Sequence, residues 1–479
     1  MPAAFHKKHE TDRERAGSGL REKKRFYRRA LGIALPIMIQ NAITSLVGML
    51  DNVMVGRIGT DQMSGVAIIN QLYFIWYLCI FGGLSGIGIF TAQFYGKGDH
   101  EGVRYTFRLQ LCLAAILTGG GFLIMRIMSD PLIRMFLHED EGIGSVEATF
   151  AYAGAYLSVL LLEMIPFALT QVYASVLKSA GETRAPMRAS LIAVVVNLVG
   201  NYLLIYGKFG APQLGVVGAA AATVIARFVE CASLIIYAHR RSRRYPFLAG
   251  AYRSLYVPLG LVKSCSIKGL PLLVNEALWS GAQAFLMRNY SLRGLSVVAA
   301  YNILQTVSQV FNVAFLAMGV ASGIILGQEL GRGESRRTLL QDAARLTWFS
   351  VGLCILSGGI MFALSSVFPL LYQTSDEIRR LAAGLLRAAA VCMPLFSYTN
   401  SAYFILRSGG KTLVTFLFDS CFCWVLSVPL SYYLAMYTGL PILAVYVSVQ
   451  MLELVKCVIG GILVKKGVWI NDITAYSKA

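Results

Sequence analysis

From about residue 31 to residue 465 the chain alternates long apolar runs with short polar gaps. The runs lie at 31–56, 63–92, 104–128, 146–176, 187–206 and 214–238, and again at 267–290, 296–328, 338–368, 378–406, 412–436 and 441–465. Each has the roughly 20 residues that a helix needs to cross about 30 Å of hydrocarbon. In a bilayer only helices and closed barrels satisfy their own backbone hydrogen bonds. The pattern therefore predicts an all-α polytopic membrane protein with twelve transmembrane helices. The longest internal basic gap, His239 to Lys268, parts six runs from six. It divides the chain into a basic tail at 1–30, a six-helix bundle at 31–238, a linker at 239–266, a second bundle at 267–466 and a tail at 467–479.

The halves repeat one another. Pro36 answers Pro271, Gln93 answers Gln328, Gly96 answers Gly331 and Gly98 answers Gly333, each pair 235 positions apart, so that QFYGKGD and QELGRGE are the same device. Later in each half LKSAGET (Leu177 to Thr183) answers LRSGGKT (Leu406 to Thr412) at an offset of 229. Because six is even, both halves enter the membrane in the same direction. This predicts a parallel repeat with a pseudo-two-fold axis along the membrane normal, a transporter architecture.

Composition agrees with this picture and charge adds orientation. Of 479 residues 56% are hydrophobic and only 14% charged, where a soluble domain has about 25% charged. The net charge of +18 would suggest nucleic acid in a soluble protein, but here the basic residues fill gaps on one predicted side of the membrane. That bias places both termini in the cytoplasm, with the protein in the plasma membrane. The opposite gaps are poorer in bases, as at Ser129 to Gly144, where HEDEG supplies acids. The nine cysteines form no CxxC pair and read as small buried hydrophobes.

Polar side chains inside the apolar runs are the candidates for chemistry, because an ionised group at membrane depth costs about 2.5–3.5 kcal/mol on insertion scales. The first run carries Asp51, on one helical face with Asn41, Thr44 and Gly48. The seventh carries Glu276, Ser280 and Gln283, the eighth Asn302, Gln305, Gln309 and Asn312, each set on one face. Four amides in line are expected to border a wet cavity. In the fifth run Asn197 and Asn201 lie one turn apart, and with Asp51 they can supply oxygen ligands to Na⁺ or hydrogen bonds to a protonatable acid. Glu163, ahead of an expected kink at Pro166, and Asp419 divide between substrate contact and structural hydrogen bonding. Arg227 with Glu230, and Glu453 with Lys456, read as internal ion pairs. Neither GxxxxGK[ST] nor HExxH occurs, which argues against an ATP-driven pump and a zinc protease. GKGD at Gly96 to Asp99 matches an aspartyl-protease motif on paper, but its recurrence as GRGE marks it as a turn feeding the next helix.

The two six-helix halves, D-x-x-x-x-G-x-x-G (Asp51, Gly56, Gly59), QFYGKGD, LKSAGET, and NLVGNY followed by GVVGAAAAT together resemble the multidrug and toxic compound extrusion (MATE) family, over about residues 30–465. The resemblance implies a secondary antiporter, not an enzyme, that exports cationic amphipathic compounds in exchange for Na⁺ or H⁺ and uses no further cofactor. It implies a cation site made by Asp51, Asn197, Asn201 and Thr223, with Tyr156 a weaker match. Some members carry an aspartate where this chain has Asn201. Substrate contacts are expected from Glu276, Gln283, Asn302, Gln305, Gln309, Asp419, Asn41 and Glu163, with Glu276 the drug contact of the second half. The partners are small organic cations, the coupling ion and the bilayer, with the chain a monomer and no nucleic acid bound. The alternatives are export of a lipid-linked or anionic substrate, which calls for basic side chains in the cavity, and an intramembrane enzyme, for which no nucleophile and base stand at workable spacing.

Overall fold

The computed structural model describes residues 2–137, 145–372 and 374–475; of residues 2–21 and Met49 it describes the backbone alone. The acidic run at 138–142 lies outside the described residues. Those residues form long helices joined by short turns and no strand. We number the long helices α1 (Pro2–Gly56), α2 (Thr60–Lys97), α3 (His100–Ile127), α4 (Val146–Ser179), α5 (Arg184–Tyr206), α6 (Val216–Arg240), α7 (Leu259–Ser291), α8 (Leu295–Arg332), α9 (Arg336–Ala363), α10 (Asp376–Ser408), α11 (Thr412–Tyr437) and α12 (Ile442–Lys465). Among the described residues eleven of these are long and apolar enough to cross a membrane. The twelfth expected span, α7, has the length, at 33 residues, but carries Lys263, Lys268, Glu276 and Arg288. It also begins eight residues before the expected 267, directly after Pro258, whose ring suits the position before a helix.

The repeated loops are turns. Gly98 and Gly333 end α2 and α8 with φ of 76° and 72°, a conformation that favours glycine. The next helices are capped by Asp99, which accepts from Gly102 N at 2.9 Å, and Ser335, which accepts from Thr338 N at 3.2 Å. The kink in α4 falls just ahead of Pro166, as a 3₁₀ turn at Leu161–Glu163. In α11, Leu417–Cys421 and Cys423–Ser427 are wound as π-helix, which widens the helix around Asp419.

The lobes interlock at the end of the molecule where the termini lie. There Ala30, Ile33, Ala34 and Ile37 of α1 belong to a core built mainly from α8, α9 and α10, while Leu261, Cys265 and Leu272 of α7 belong to the core of the first lobe. The opening helix of each lobe thus packs part of its length into the other, residues 30–37 of α1 and 261–272 of α7. α2 packs on α7 closely enough that a Cβ on Gly86 would lie 2.5 Å from Gly269 Cα. The segment after α12, expected as a tail, is part of this seam. Trp469 is fully buried in the core shared by α1, α8, α9 and α10, and Ile473 is buried against the first lobe. The linker lies on the first lobe, where Arg108 of α3 donates to the carbonyls of Ala251 (2.8 Å), Gly250 (3.1 Å) and Tyr256 (3.2 Å).

Candidate functional site

On the half of the molecule away from the termini, α1 and α8 separate around a cavity of about 560 Å³. Its wall comes from α1, α2, α4, α5 and α6 of the first lobe, with Thr306, Gln309 and Val310 of α8 facing them. Gly48 and Asp51 from the polar face of α1 line it, as do Tyr156, Asn201, Thr223, Glu163 and Arg227. The structure thus brings together residues spread over some 180 positions of sequence.

Asp51 sits among amides. Asn201 Nδ2 donates to Asp51 Oδ1 at 2.6 Å. Asn197 lies between Asp51 and Thr223, and an amide orientation must be assigned from its neighbours. With nitrogen toward the carboxylate, it donates to both Asp51 oxygens at 2.9 and 3.2 Å and accepts from Thr223 Oγ1 at 3.2 Å. In that orientation every polar atom of Asn197 has a partner of the right kind. Asn201 Oδ1 is buried without a hydrogen-bond donor. An unpartnered amide oxygen beside a carboxylate is the chemistry of a monovalent cation ligand. Asp51 and Asn201 can therefore supply oxygen ligands to Na⁺, while the N–H groups that Asn197 and Asn201 turn to Asp51 suit a carboxylate that exchanges a proton. Among the described residues no group of three or more His, Cys, Asp or Glu is placed to hold a metal ion.

A second cluster adjoins the first. Glu163, fully buried, accepts from Tyr77 OH at 2.5 Å, and its other oxygen lies 3.6 Å from Arg227 Nε. Arg227 also pairs with Glu230 at 2.9 Å, the expected ion pair, and its guanidinium lies over the Phe167 ring. Ser190 Oγ donates to Glu230 at 2.7 Å. Tyr77 and Ser190 escape a reading of the sequence because a lone tyrosine or serine in an apolar run is unremarkable until its partner is known.

The second lobe differs. Asp419 is ion-paired to Lys456 at 3.2 Å, and Lys456 reaches Glu453 at 3.2 Å. Asn275, next to Glu276, is the hub of this lobe: it donates to Asp419 Oδ2 at 3.2 Å, and Ser420 Oγ donates to it at 2.7 Å. Asn275 also escapes a reading of the sequence; an amide directly before Glu276 in an apolar run is the signal that could have found it. Glu276 is half-buried at the contact between α7 and α2, opposite Gly82. It has no hydrogen bond or ion pair among the described residues. The amide face of α8 is divided: Gln309 borders the cavity, Gln305 donates to Tyr301 OH at 2.8 Å, and Asn302 is exposed away from it. Asn41 and Gln283 are partly exposed and do not border the cavity.

The MatE family model matches residues 36–203 and 271–433, one block in each lobe, which together cover more than half of the chain. The chain belongs to the MatE family. Its relatives include the probable multidrug resistance protein NorM of Thermotoga maritima, 26% identical over 87% of each chain, and the probable multidrug resistance protein YoeA of Bacillus subtilis, 26% identical over 92% of this chain and 93% of that one. Among solved structures, an outward-facing multidrug resistance MATE family transporter of the MOP superfamily superposes with a TM-score of 0.80 over 92% of this chain and 95% of that one, at 19% identity. A variant of the Vibrio cholerae MATE transporter VcmN superposes at 0.83 over 94% of this chain and 99% of that one, at 16% identity. This MATE protein is therefore a multi-pass membrane transporter and not an enzyme, with two lobes of the family fold.

Proposed function

We propose that this MATE transporter is a multidrug efflux antiporter that exports cationic amphipathic compounds across the plasma membrane in exchange for Na⁺ or H⁺ bound at Asp51. The observation that carries the reading is Asp51 itself: a carboxylate in a membrane-depth cavity, oriented by two amides and, among the described residues, in no salt bridge. The names of the NorM and YoeA relatives supply the substrate breadth. With both termini cytoplasmic, the interlocked end of the lobes closes the cavity from the cytoplasm and leaves it facing outward.

In this state the ion reaches Asp51 and releases a cationic substrate that competes for the same charge. In the opposite state the ion departs and substrate is captured. Coupling needs ion and substrate to bind the two states with different affinity. Export of an anionic substrate would need free bases, and among the described residues the one base lining the cavity, Arg227, is held by two carboxylates.

The test is efflux of ethidium from proteoliposomes with the Na⁺ gradient and the pH gradient imposed separately. One gradient is expected to drive efflux, and Asp51→Asn to abolish its effect. Ion-driven efflux that survives in Asp51→Asn overturns the proposal.

A further inference from the structure

Both lobes contain a base gripped by two carboxylates, Arg227 partly buried at the cavity wall and Lys456 buried, and the two bases are related by the repeat. Arg227 and Lys456 stand 229 positions apart, the offset that relates LKSAGET to LRSGGKT. Arg227 bridges Glu163 at 3.6 Å and Glu230 at 2.9 Å; Lys456 bridges Asp419 and Glu453, each at 3.2 Å. Each base also lies against aromatic rings, Arg227 over Phe167 and Lys456 beside Phe418 and Phe422. The acids do not follow the repeat: 229 positions from Asp419 stands Ser190, and from Glu453 stands Val224. What the two lobes share is a positive charge at one place.

Stability does not account for this. A buried ion pair is often no better than apolar residues of the same volume, because desolvation offsets the attraction. The positive charge acts on its surroundings instead. In each lobe it holds two carboxylates, while Asp51 in the first and Glu276 in the second enter no ion pair among the described residues. Arg227 lines the same cavity as Asp51, so its field opposes any cation that binds there.

Building on the reading of Asp51 as the coupling site, we propose that Arg227 is a positioning residue that acts as a tethered counter-cation. It fixes Glu163 and Glu230 in one pairing and weakens the hold of Asp51 on its exchangeable cation enough for release in every cycle. Lys456 is its counterpart in the second lobe, where it fixes Asp419 and Glu453 in one pairing.

The proposal predicts shifts of opposite sign from two substitutions in one cluster. The readout is the concentration of the driving cation, Na⁺ or H⁺, that gives half-maximal ethidium efflux in proteoliposomes. Arg227→Gln removes the opposing charge and should lower that concentration about tenfold or more, a neighbouring charge being worth about one to three decades in such an equilibrium. Arg227→Lys keeps the charge and should restore the wild-type value. Glu163→Gln leaves Arg227 less neutralised and should raise the concentration by a similar factor. A merely structural role would slow efflux in both variants without moving the half-saturation in opposite directions. Shifts of the same sign, or none, overturn the proposal. Should Arg227→Gln fail to insert, Glu163→Gln decides alone, and an unchanged half-saturation overturns it. Asp51→Asn separates the two readings: if ion-driven efflux survives there, the coupling site is wrong; if it is lost there but the cluster variants show no shift, only the counter-cation is wrong.

Discussion

Gln93 and Gln328 make the same contact in opposite directions across the lobe seam. Gln93 Nε2 donates to Ser408 O at 2.9 Å, and Gln328 Nε2 donates to Ser179 O at 2.7 Å, so each glutamine of α2 and α8 ties down the end of the partner lobe's repeated L-[KR]-S element. The helices approach closely enough for this because each carries a glycine one turn on. A Cβ on Gly96 would fall 2.0 Å from Gln328 O, and one on Gly331 would fall 1.9 Å from Gln93 O. The pseudo-two-fold axis expected from the sequence passes between these pairs.

Substituting either glycine should prevent this end from closing. Backbone carbonyls cannot yield as a flexible side chain does, and overpacking of this kind costs about 1–3 kcal/mol. Gly96→Ala or Gly331→Ala should therefore shift the conformational equilibrium by roughly ten- to hundredfold away from the state described here. Spin-label distances across the seam should lengthen, and ethidium efflux should fall in parallel. Unchanged distances would show that the approach is not needed for closure.

The segment after α12 is the second fastening of the seam. Ile473 N donates to Gln93 Oε1 at 3.0 Å, Gln93 Nε2 reaches Asn471 O at 3.2 Å, and Lys97 donates to Thr474 Oγ1 at 3.2 Å. Gly409 leaves room for the passing chain, since a Cβ there would collide with Trp469 O. Trp469→Ala empties a fully buried site, and removal of a buried tryptophan costs about 3–5 kcal/mol. The melting temperature in detergent should drop by several degrees, and proteolysis should begin at this segment. A variant that melts with the wild type would place the indole outside the stabilising core.

These contacts mark where the sequence is legible and where it is not. Asp51 stands out because an acid in an apolar run needs a reason, and the repeat of Gly96 and Gly331 stands out because glycines at a fixed offset are rarely coincidental. A helical period gives the residues that share a face, but not how far the helix is rotated toward each neighbour. Asn302 and Gln305 share a face of α8, yet one is exposed and the other satisfied by Tyr301 on its own helix. Asp419 looks like a free acid along its own helix, and its base, 37 residues further on, is revealed only by packing. Trp469 lies in VWINDIT, which has no helical or strand period, and the space it fills exists only once two lobes have met.

Replacing Asn201 should distinguish the coupling ions. Asn201 offers Asp51 a donor at 2.6 Å and keeps a buried oxygen unpartnered. For Na⁺ the oxygen is a ligand, so Asn201→Leu should raise the Na⁺ concentration for half-maximal efflux about tenfold or more, the weight of a hydrogen bond to a charged group being about 1.5–3 kcal/mol. For H⁺ the donor is what counts: losing it disfavours the bare carboxylate, so half-maximal efflux should move to a lower proton concentration. The sign of the shift, read in proteoliposomes under the gradient that drives efflux, names the ion. No shift under either gradient would remove Asn201 from the site.

Lys456 should be worth far more than the pairs it forms. Removing one partner from a buried ion pair typically costs about 3–5 kcal/mol, chiefly because the other charge is left buried and unpaired, whereas replacing the whole group by neutral residues can be close to neutral. Lys456→Met leaves Asp419 and Glu453 without their base and should lower the melting temperature markedly. Adding Asp419→Asn and Glu453→Gln should recover most of the loss, because the amides keep the shape and Asn275 can still bond to residue 419. Residues in one network couple in this non-additive way, and a thermodynamic cycle over the variants isolates the coupling. If the triple variant melts as low as Lys456→Met alone, the ammonium acts through its contact with the Phe418 and Phe422 rings and not through the two carboxylates.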